Sequence, residues 1–114
     1  MSQGLTSVYA QKRILKGATK MEQIQEANLI TLKVAAASNP SKVATSIFKN
    51  LQEGRTVETL SIGAGASNQA LKGIIIARSL AASAGWDLLI LPGFIDLTID
   101  MEKKTAIKMA IVKR

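Results

Sequence analysis

The residues best suited to binding a ligand lie between Ser61 and Gly73, in the stretch SIGAGASNQALKG. Its small residues separate a short apolar run from a long apolar-rich segment, which predicts a strand, a turn and a helix N-terminus. A helix N-terminus presents backbone N–H groups to an anion. Asn68 and Gln69 add side-chain donors, and Lys72 follows one helical turn later. The stretch therefore predicts a site for a phosphate group.

A structural role for the same small residues is the alternative. Gly63 and Gly65 permit a tight turn and close packing whether or not a ligand binds. Their spacing matches neither the GxxxxGK[ST] pattern of a P-loop nor the GxGxxG pattern of a dinucleotide site. Nucleotide hydrolysis is therefore not predicted, and the anion site and the packing turn both stay open.

A second helix N-terminus is predicted in the stretch SNPSK, residues 38–42. Asn39 is suited to cap this helix, and Pro40 is suited to its first position. Ser38, Ser41 and Lys42 lie beside the cap and are predicted to face a phosphate as well. Both helices follow strands that are predicted to run parallel, so their N-termini should open on the same edge of the sheet.

Two adjacent lysines near the end of the chain complete the predicted binding set. Lys103 and Lys104 stand beside Asp100 and Glu102, and a hairpin turn is predicted at Glu102–Lys104. These charges either belong to a solvated turn or form an arm that touches a nucleic-acid groove. The predicted nucleic-acid-binding residues are thus Ser38, Asn39, Ser41, Lys42, Asn68, Gln69, Lys72, Lys103 and Lys104.

The composition narrows the classes of function. Fifteen Lys and Arg residues oppose eight Asp and Glu residues in a chain of 114, and the formal charge of +7 favours a polyanionic partner. The sequence has no Cys and no His, which removes disulfides, most zinc sites and the common nucleophile–base pairs. We therefore predict a protein that is not an enzyme and uses no cofactor, metal or small-molecule substrate.

The hydropathy pattern bears on location. No apolar run reaches the roughly 18 residues of a membrane span, and the N-terminus lacks the apolar segment of a secretory signal. We therefore predict a cytoplasmic protein that does not associate with membranes.

The elements that must position these residues follow from periodicity and from helix-ending signals. Strands are predicted at Ile30–Ala36 and Val57–Gly63, helices at Asn39–Gly54 and Ser67–Ser83, and a long C-terminal hairpin at Trp86–Arg114, interrupted at Pro92–Gly93. This β-α-β-α-β-β order predicts a two-layer α/β sandwich with a mixed four-stranded sheet and both helices on one face. Residues 30–114 would form this domain. Residues 1–29 are predicted to be an extension, either mobile or a short helix over Ala18–Ala27.

The second predicted helix has two apolar faces. At 100° per residue, a broad face that would pack on the sheet contains Ala70, Gly73, Ile74, Ala77, Leu80, Ala81 and Ala84. Leu71, Ile75 and Ala82 form a thinner strip on the other side. A second apolar strip suggests a partner surface, so these three residues are predicted to form a dimer interface.

Four segments of the sequence resemble the stage V sporulation protein S family, namely LKVAAASNPSKVATSIFKNL, IGAGASNQALKGIIIAR, LPGFIDLTID and KKTAIKMAIVKR. The resemblance covers Thr31 to Arg114 and leaves out the first 29 residues. It implies an Alba-like fold, a homodimer and a nucleic-acid-binding role in bacterial sporulation and septation. Alba proteins carry paired lysines in the loop after the first strand, whereas the corresponding loop here, AAASNPSK, has only Lys42.

These observations together predict a non-enzymatic regulatory protein of sporulation that binds nucleic acid as a dimer. Binding would rest on phosphate contacts, so it would be sensitive to salt and weakly selective for sequence. The alternative is a protein-interaction module in a developmental pathway, without direct nucleic-acid binding. The apolar strip on the second helix is the feature that favours this alternative.

Overall fold

The computed structural model describes residues 21–114. These residues form five strands and two helices, in the order β1 (Glu22–Glu26), β2 (Leu29–Val34), α1 (Pro40–Gln52), β3 (Thr56–Ser61), α2 (Ala64–Ser83), β4 (Leu88–Ile99) and β5 (Glu102–Lys113). The predicted α/β class with a mixed sheet is confirmed. The predicted number and order of strands are wrong.

The five strands form one sheet in the order β1-β2-β3-β5-β4. Strands β2 and β3 are parallel neighbours, and every other pairing is antiparallel. Strand β5 lies between β3 and β4, so the strands that α2 connects run parallel without touching. The four-stranded prediction missed β1 and did not anticipate that the C-terminal hairpin would insert its second strand into the sheet.

Strand β1 replaces the short helix that was predicted over Ala18–Ala27. Residues 22–26 pair antiparallel with β2 through a two-residue turn in which Ala27 has a φ of 55°. A helix this short is marginal in isolation, whereas the free edge of β2 offers a complete ladder of backbone hydrogen bonds. The tertiary pairing therefore decides the conformation. The remainder of the predicted extension, residues 1–20, lies outside the described residues.

Helix α1 follows the sequence prediction closely. Asn39 caps it, since its side-chain Oδ1 accepts a hydrogen bond of 2.8 Å from the backbone N–H of Ser41. Its inward face packs against the sheet through Val43, Ala44, Ile47 and Leu51. Beneath the helices, β2, β3 and β5 contribute Ile30, Leu32, Val34, Val57, Met109 and Ile111 to the same core.

Helix α2 begins three residues earlier than predicted and buries a narrower face. Gly63, at a φ of 90°, precedes its first residue, Ala64. The predicted packing residues Ala70, Gly73, Ile74, Ala77 and Ala81 are buried. Leu80 is 38% exposed, and Ala84 lies beyond the end of the helix. Because α2 packs on α1 as well as on the sheet, its buried face is rotated away from Leu80.

The C-terminal hairpin turns at Asp100–Met101, not at Glu102–Lys104. The two turn residues have φ values of 52° and 65°, which is the conformation of a two-residue type I′ turn. Strand β4 also runs without a break through Pro92 and Gly93, where an interruption was predicted. A proline is tolerated there because β4 is an edge strand.

A close approach of the two helices is centred on Gly73. A Cβ atom at this position would lie 2.5 Å from Val43 Cγ1 and 2.8 Å from Val43 Cβ, and 3.3 Å from the carbonyl oxygen of Pro40. The absence of a side chain at Gly73 thus lets the start of α1 lie directly on the middle of α2. Of the glycines in the stretch SIGAGASNQALKG, Gly73 has the clearest packing role.

Replacing Gly73 with alanine should destabilise the protein. The added methyl group overpacks the helix contact, which costs about 1–3 kcal/mol, against a gain in helix propensity of about 1 kcal/mol. We expect the midpoint of urea unfolding to fall. Gly93→Ala is the matched control, because a Cβ at Gly93 meets nothing within 4 Å. Equal stability of the two variants would contradict the packing role.

Candidate nucleic-acid interface

The N-termini of the two helices lie side by side at one edge of the sheet, the edge where β2 ends at Val34 and β3 ends at Ser61. The Gln69 side chain of α2 donates a hydrogen bond of 2.8 Å from Nε2 to the carbonyl oxygen of Ser38, in the loop that leads into α1. Gly65 faces the same loop, where its Cβ position lies 3.2 Å from the Cβ of Ala36. The prediction that both helices open on the same edge is confirmed.

The predicted residues at the start of α1 divide into internal and exposed groups. Ser38 is 1% exposed, and its hydroxyl accepts a hydrogen bond of 2.8 Å from the Ala35 N–H. This side chain therefore shapes the loop and does not face solvent. Asn39 is committed to the helix cap. Ser41 and Lys42 are exposed beside it.

The predicted residues at the start of α2 divide in the same way. Gln69 is half-buried and bonds from α2 to the loop that leads into α1, whereas Asn68 and Lys72 are exposed. Of the two described helices, neither has an acidic residue in its first turn. The positive ends of both helix dipoles are therefore left without a compensating carboxylate from their own first turns. Ser41, Lys42, Asn68 and Lys72 are thus exposed at this edge and are not committed to a helix cap.

The hairpin arm projects from the same edge. Strand β3 ends at Ser61, whose partner in β5 is Ile107. The preceding residues of β5, Glu102–Ala106, pair only with β4 and extend beyond the end of β3. At about 3.4 Å per residue, five residues carry the tip roughly 17 Å past the sheet edge.

Lys103 and Lys104 lie near the tip of this arm and point to opposite faces of the strand. Lys103 Nζ is 3.8 Å from Asp96 Oδ2, and Lys104 Nζ is 3.1 Å from Glu102 Oε1. Both lysines are exposed, so each carboxylate partly offsets a charge that stays accessible to solvent. The predicted tip residues thus project from the same edge as the helix N-termini, each with an acidic neighbour.

The predicted dimer strip is exposed on the outer side of α2. Ile75 is 59% exposed, and Leu71 and Ala82 are also exposed. Ile76 and Leu80 are exposed too, but they lie on the far side of the polar residues Lys72 and Ser83 and are therefore separate from this strip. A shallow depression of about 440 Å³ adjoins it, lined by Ile75, Arg78, Ser79, Ala82, Trp86 and Asp87.

An ion pair at this depression joins α2 to the start of β4. Arg78 donates from Nε to Asp87 Oδ1 at 2.6 Å and from Nη2 to Asp87 Oδ2 at 3.3 Å. The bond from Arg78, with a further bond from the Leu88 N–H, lowers the pKa of Asp87. The bond to Asp87 in turn raises the pKa of Arg78. Both groups are open to solvent, so their contribution to stability is small.

Replacing Asp87 with asparagine should reduce stability at neutral pH and have no effect in strong acid. A carboxylate with a lowered pKa stabilises the fold above its unfolded-state pKa, and this stabilisation disappears as the pH falls through the folded-state pKa. We therefore expect the urea midpoints of the wild type and Asp87→Asn to converge below the ordinary pKa of an aspartate. A difference that persists at lower pH would show that the ion pair does not cause it.

Sequence reasoning missed the basic residues that the first strand gathers around α1. Lys49 and Arg55 share a groove with the predicted residue Lys42, and Gln23 and Gln25 of β1 complete it. Only the 2-residue periodicity of EQIQE hinted at this strand.

Among residues 21–114, no group of three His, Cys, Asp or Glu side chains is placed to hold a metal ion. Within the same range, neither helix is long and apolar enough to cross a bilayer.

The fold and its surface define a small mixed α/β protein whose helix N-termini and hairpin arm share one sheet edge. The family model for stage V sporulation protein S matches residues 30–114. The chain therefore belongs to the stage V sporulation protein S family, as the resemblance predicted. Membership implies a sporulation-related role. Strand β1 lies outside the matched residues.

Proposed function

We propose that this protein is a cytoplasmic, non-enzymatic regulator of sporulation that binds nucleic acid through phosphate contacts, as a homodimer. The observation that carries the proposal is the meeting of two helix N-termini at one sheet edge, where Gln69 joins them. Lysines flank these N-termini, and the formal charge of the chain is +7. Backbone N–H groups, amides and lysines are typical ligands of phosphate oxygens.

The residues at this edge have two different roles in the proposed contact. Lys42, Asn68 and Lys72 are exposed and would contact phosphates directly. Ser38 and Gln69 would position the two N-termini, because the Ser38 hydroxyl holds the loop before α1 and Gln69 bonds from α2 to that loop. Contacts to phosphate carry little sequence information. Binding should therefore be strongly salt-dependent and only weakly selective for sequence.

Reversing two charges at the sheet edge should abolish most of the binding. We expect Lys42→Glu with Lys72→Glu to weaken binding by at least tenfold at low salt and to flatten the salt dependence, since each neutralised phosphate contributes about −0.9 to the logarithmic slope for duplex DNA. Fluorescence anisotropy with labelled duplex DNA, single-stranded DNA and RNA measures both quantities.

The matched control carries the same change in charge at the opposite edge of the sheet. Lys113 lies there, with its Nζ 4.1 Å from the centre of the Trp86 ring, and Lys113→Glu with Arg114→Glu should bind nearly as the wild type does. If the two double variants weaken binding equally, net charge and not the helix edge governs affinity. If the wild type itself shows only background binding, the proposed function is wrong.

A protein-interaction module is the second candidate function, because α2 exposes the apolar strip around Ile75. An apolar surface of this kind is typical of a contact between proteins. In the leading proposal the strip joins two copies of this chain, whereas in the second candidate it binds another protein of the pathway. The oligomeric state of the isolated protein separates the two assignments.

Placing a charge on the strip should separate the subunits of a dimer. We expect the wild type to elute as a dimer in size-exclusion chromatography with light scattering, and Ile75→Asp to elute as a monomer, because the carboxylate would have to be buried in the interface. Gln52→Asp, an exposed position on α1, should leave the dimer intact. A monomeric wild type would contradict the dimer and favour a different protein partner.

A further inference from the structure

A polar groove of about 500 Å³ runs between strand β1 and the outer side of helix α1. Its walls consist of amide, hydroxyl and charged side chains. They belong to Gln23, Gln25, Lys42, Thr45, Ser46, Lys49, Asn50, Glu53 and Arg55. The groove begins at Lys42, near the sheet edge where the two helix N-termini lie, and continues along α1 towards its C-terminus.

The side chains of β1 are distributed so that the groove stays positively charged. Gln23 and Gln25 pair with Leu32 and Ile30 and share the helix-facing side of the sheet with them. Glu22 and Glu26 alternate with them and therefore point to the opposite face. Within the groove, Lys42, Lys49 and Arg55 oppose a single carboxylate, that of Glu53.

A hydrogen-bond network fixes the floor of this groove. Ser46 Oγ donates to Gln23 Oε1 at 2.9 Å, and Asn50 Nδ2 donates to the same oxygen at 3.3 Å. Asn50, which is 5% exposed, accepts a bond of 3.1 Å from Arg55 Nη1 through its own Oδ1. Arg55 also contacts Glu53. The chain of bonds from β1 through Asn50 thus holds the Arg55 guanidinium at the groove.

We propose that this groove is a second track for the phosphodiester backbone of nucleic acid, continuing the edge site from Lys42 along α1. This inference rests on the proposed function. Lys42 and Lys49 lie seven residues apart, which is two turns and about 10 Å along the helix. The two ammonium groups therefore project to the same side and meet different phosphates. Lys, Arg, Ser, Thr, Asn and Gln are the side chains that usually contact phosphate and sugar.

Strand β1 is what creates the track, and it lies outside the residues that the family model matches. Gln23 and Gln25 supply one wall, and without Gln23 the Asn50 and Ser46 side chains lose their shared acceptor. The family domain alone has the basic side of α1 but no wall opposite it. The extension therefore enlarges the anionic surface that this chain can hold.

Single charge removals test the track by its salt dependence. The slope of log K against log salt is negative. Lys49→Gln and Arg55→Gln should each make it less steep for duplex DNA by about 0.9, the effect of one lost phosphate contact. Lys113→Gln removes the same charge outside the groove and should leave the slope unchanged. Thermal melting of each variant establishes that it is folded.

A near-isosteric change tests the groove without removing a lysine. Gln23→Glu keeps an acceptor for Ser46 and Asn50 but adds a negative charge to the wall. We expect three- to tenfold weaker binding at low salt than for the control Gln52→Glu, which lies on α1 outside the groove lining. Equal affinities of these two variants would overturn the inference.

The outcomes also separate this inference from the proposed function. If the salt dependence becomes less steep for the Lys42 and Lys72 variants but not for the Lys49 and Arg55 variants, the proposed site at the helix N-termini stands and the track is wrong. If the wild type shows no salt-dependent binding, both are wrong. If polyglutamate of the same charge competes as well as DNA, the groove is a site for acidic protein segments, which also overturns the track.

Discussion

The contact between Gly73 and Val43 is the constraint on which the arrangement of the molecule depends. It brings the start of α1 onto the middle of α2, closer than any side chain at position 73 would allow. With the helices at this distance, Gln69 reaches the Ser38 carbonyl and Gly65 fits against Ala36. The two N-termini are thus neighbours because the helices behind them are packed without a side chain between them.

Local signals allowed the first helix and the family to be predicted, since they are contained in short stretches. Asn39 and Pro40 define the start of α1, and its apolar positions recur at helical spacing. The turn of the hairpin was misplaced because neither Asp100 nor Met101 is a glycine that would signal a positive φ. The register of the hairpin is set instead by alternate burial of its side chains, which packs Leu97 against Leu60 and Ala106.

The candidate site could be predicted in its location but not in the role of each residue. That two helix N-termini meet at one edge follows from topology, since both come after parallel strands. Whether a polar side chain faces solvent or the neighbouring loop depends on distances of a few ångströms that no local pattern encodes. Ser38 therefore turns inward to hold its own loop and Gln69 bonds across to that loop, whereas Asn68 and Lys72 remain exposed.

Strand β1 was not predicted because its conformation is decided by pairing with β2, which no local pattern encodes. Its sequence meets two constraints at once. A short edge strand with charged side chains resists pairing with other chains, and Glu22 and Glu26 provide those charges. On the helix-facing side the same carboxylates would oppose Lys42 and Lys49. The 2-residue period of a strand resolves this conflict by directing glutamates to one face and glutamines to the other. The alternation in EQIQE thus protects an edge and keeps the groove cationic.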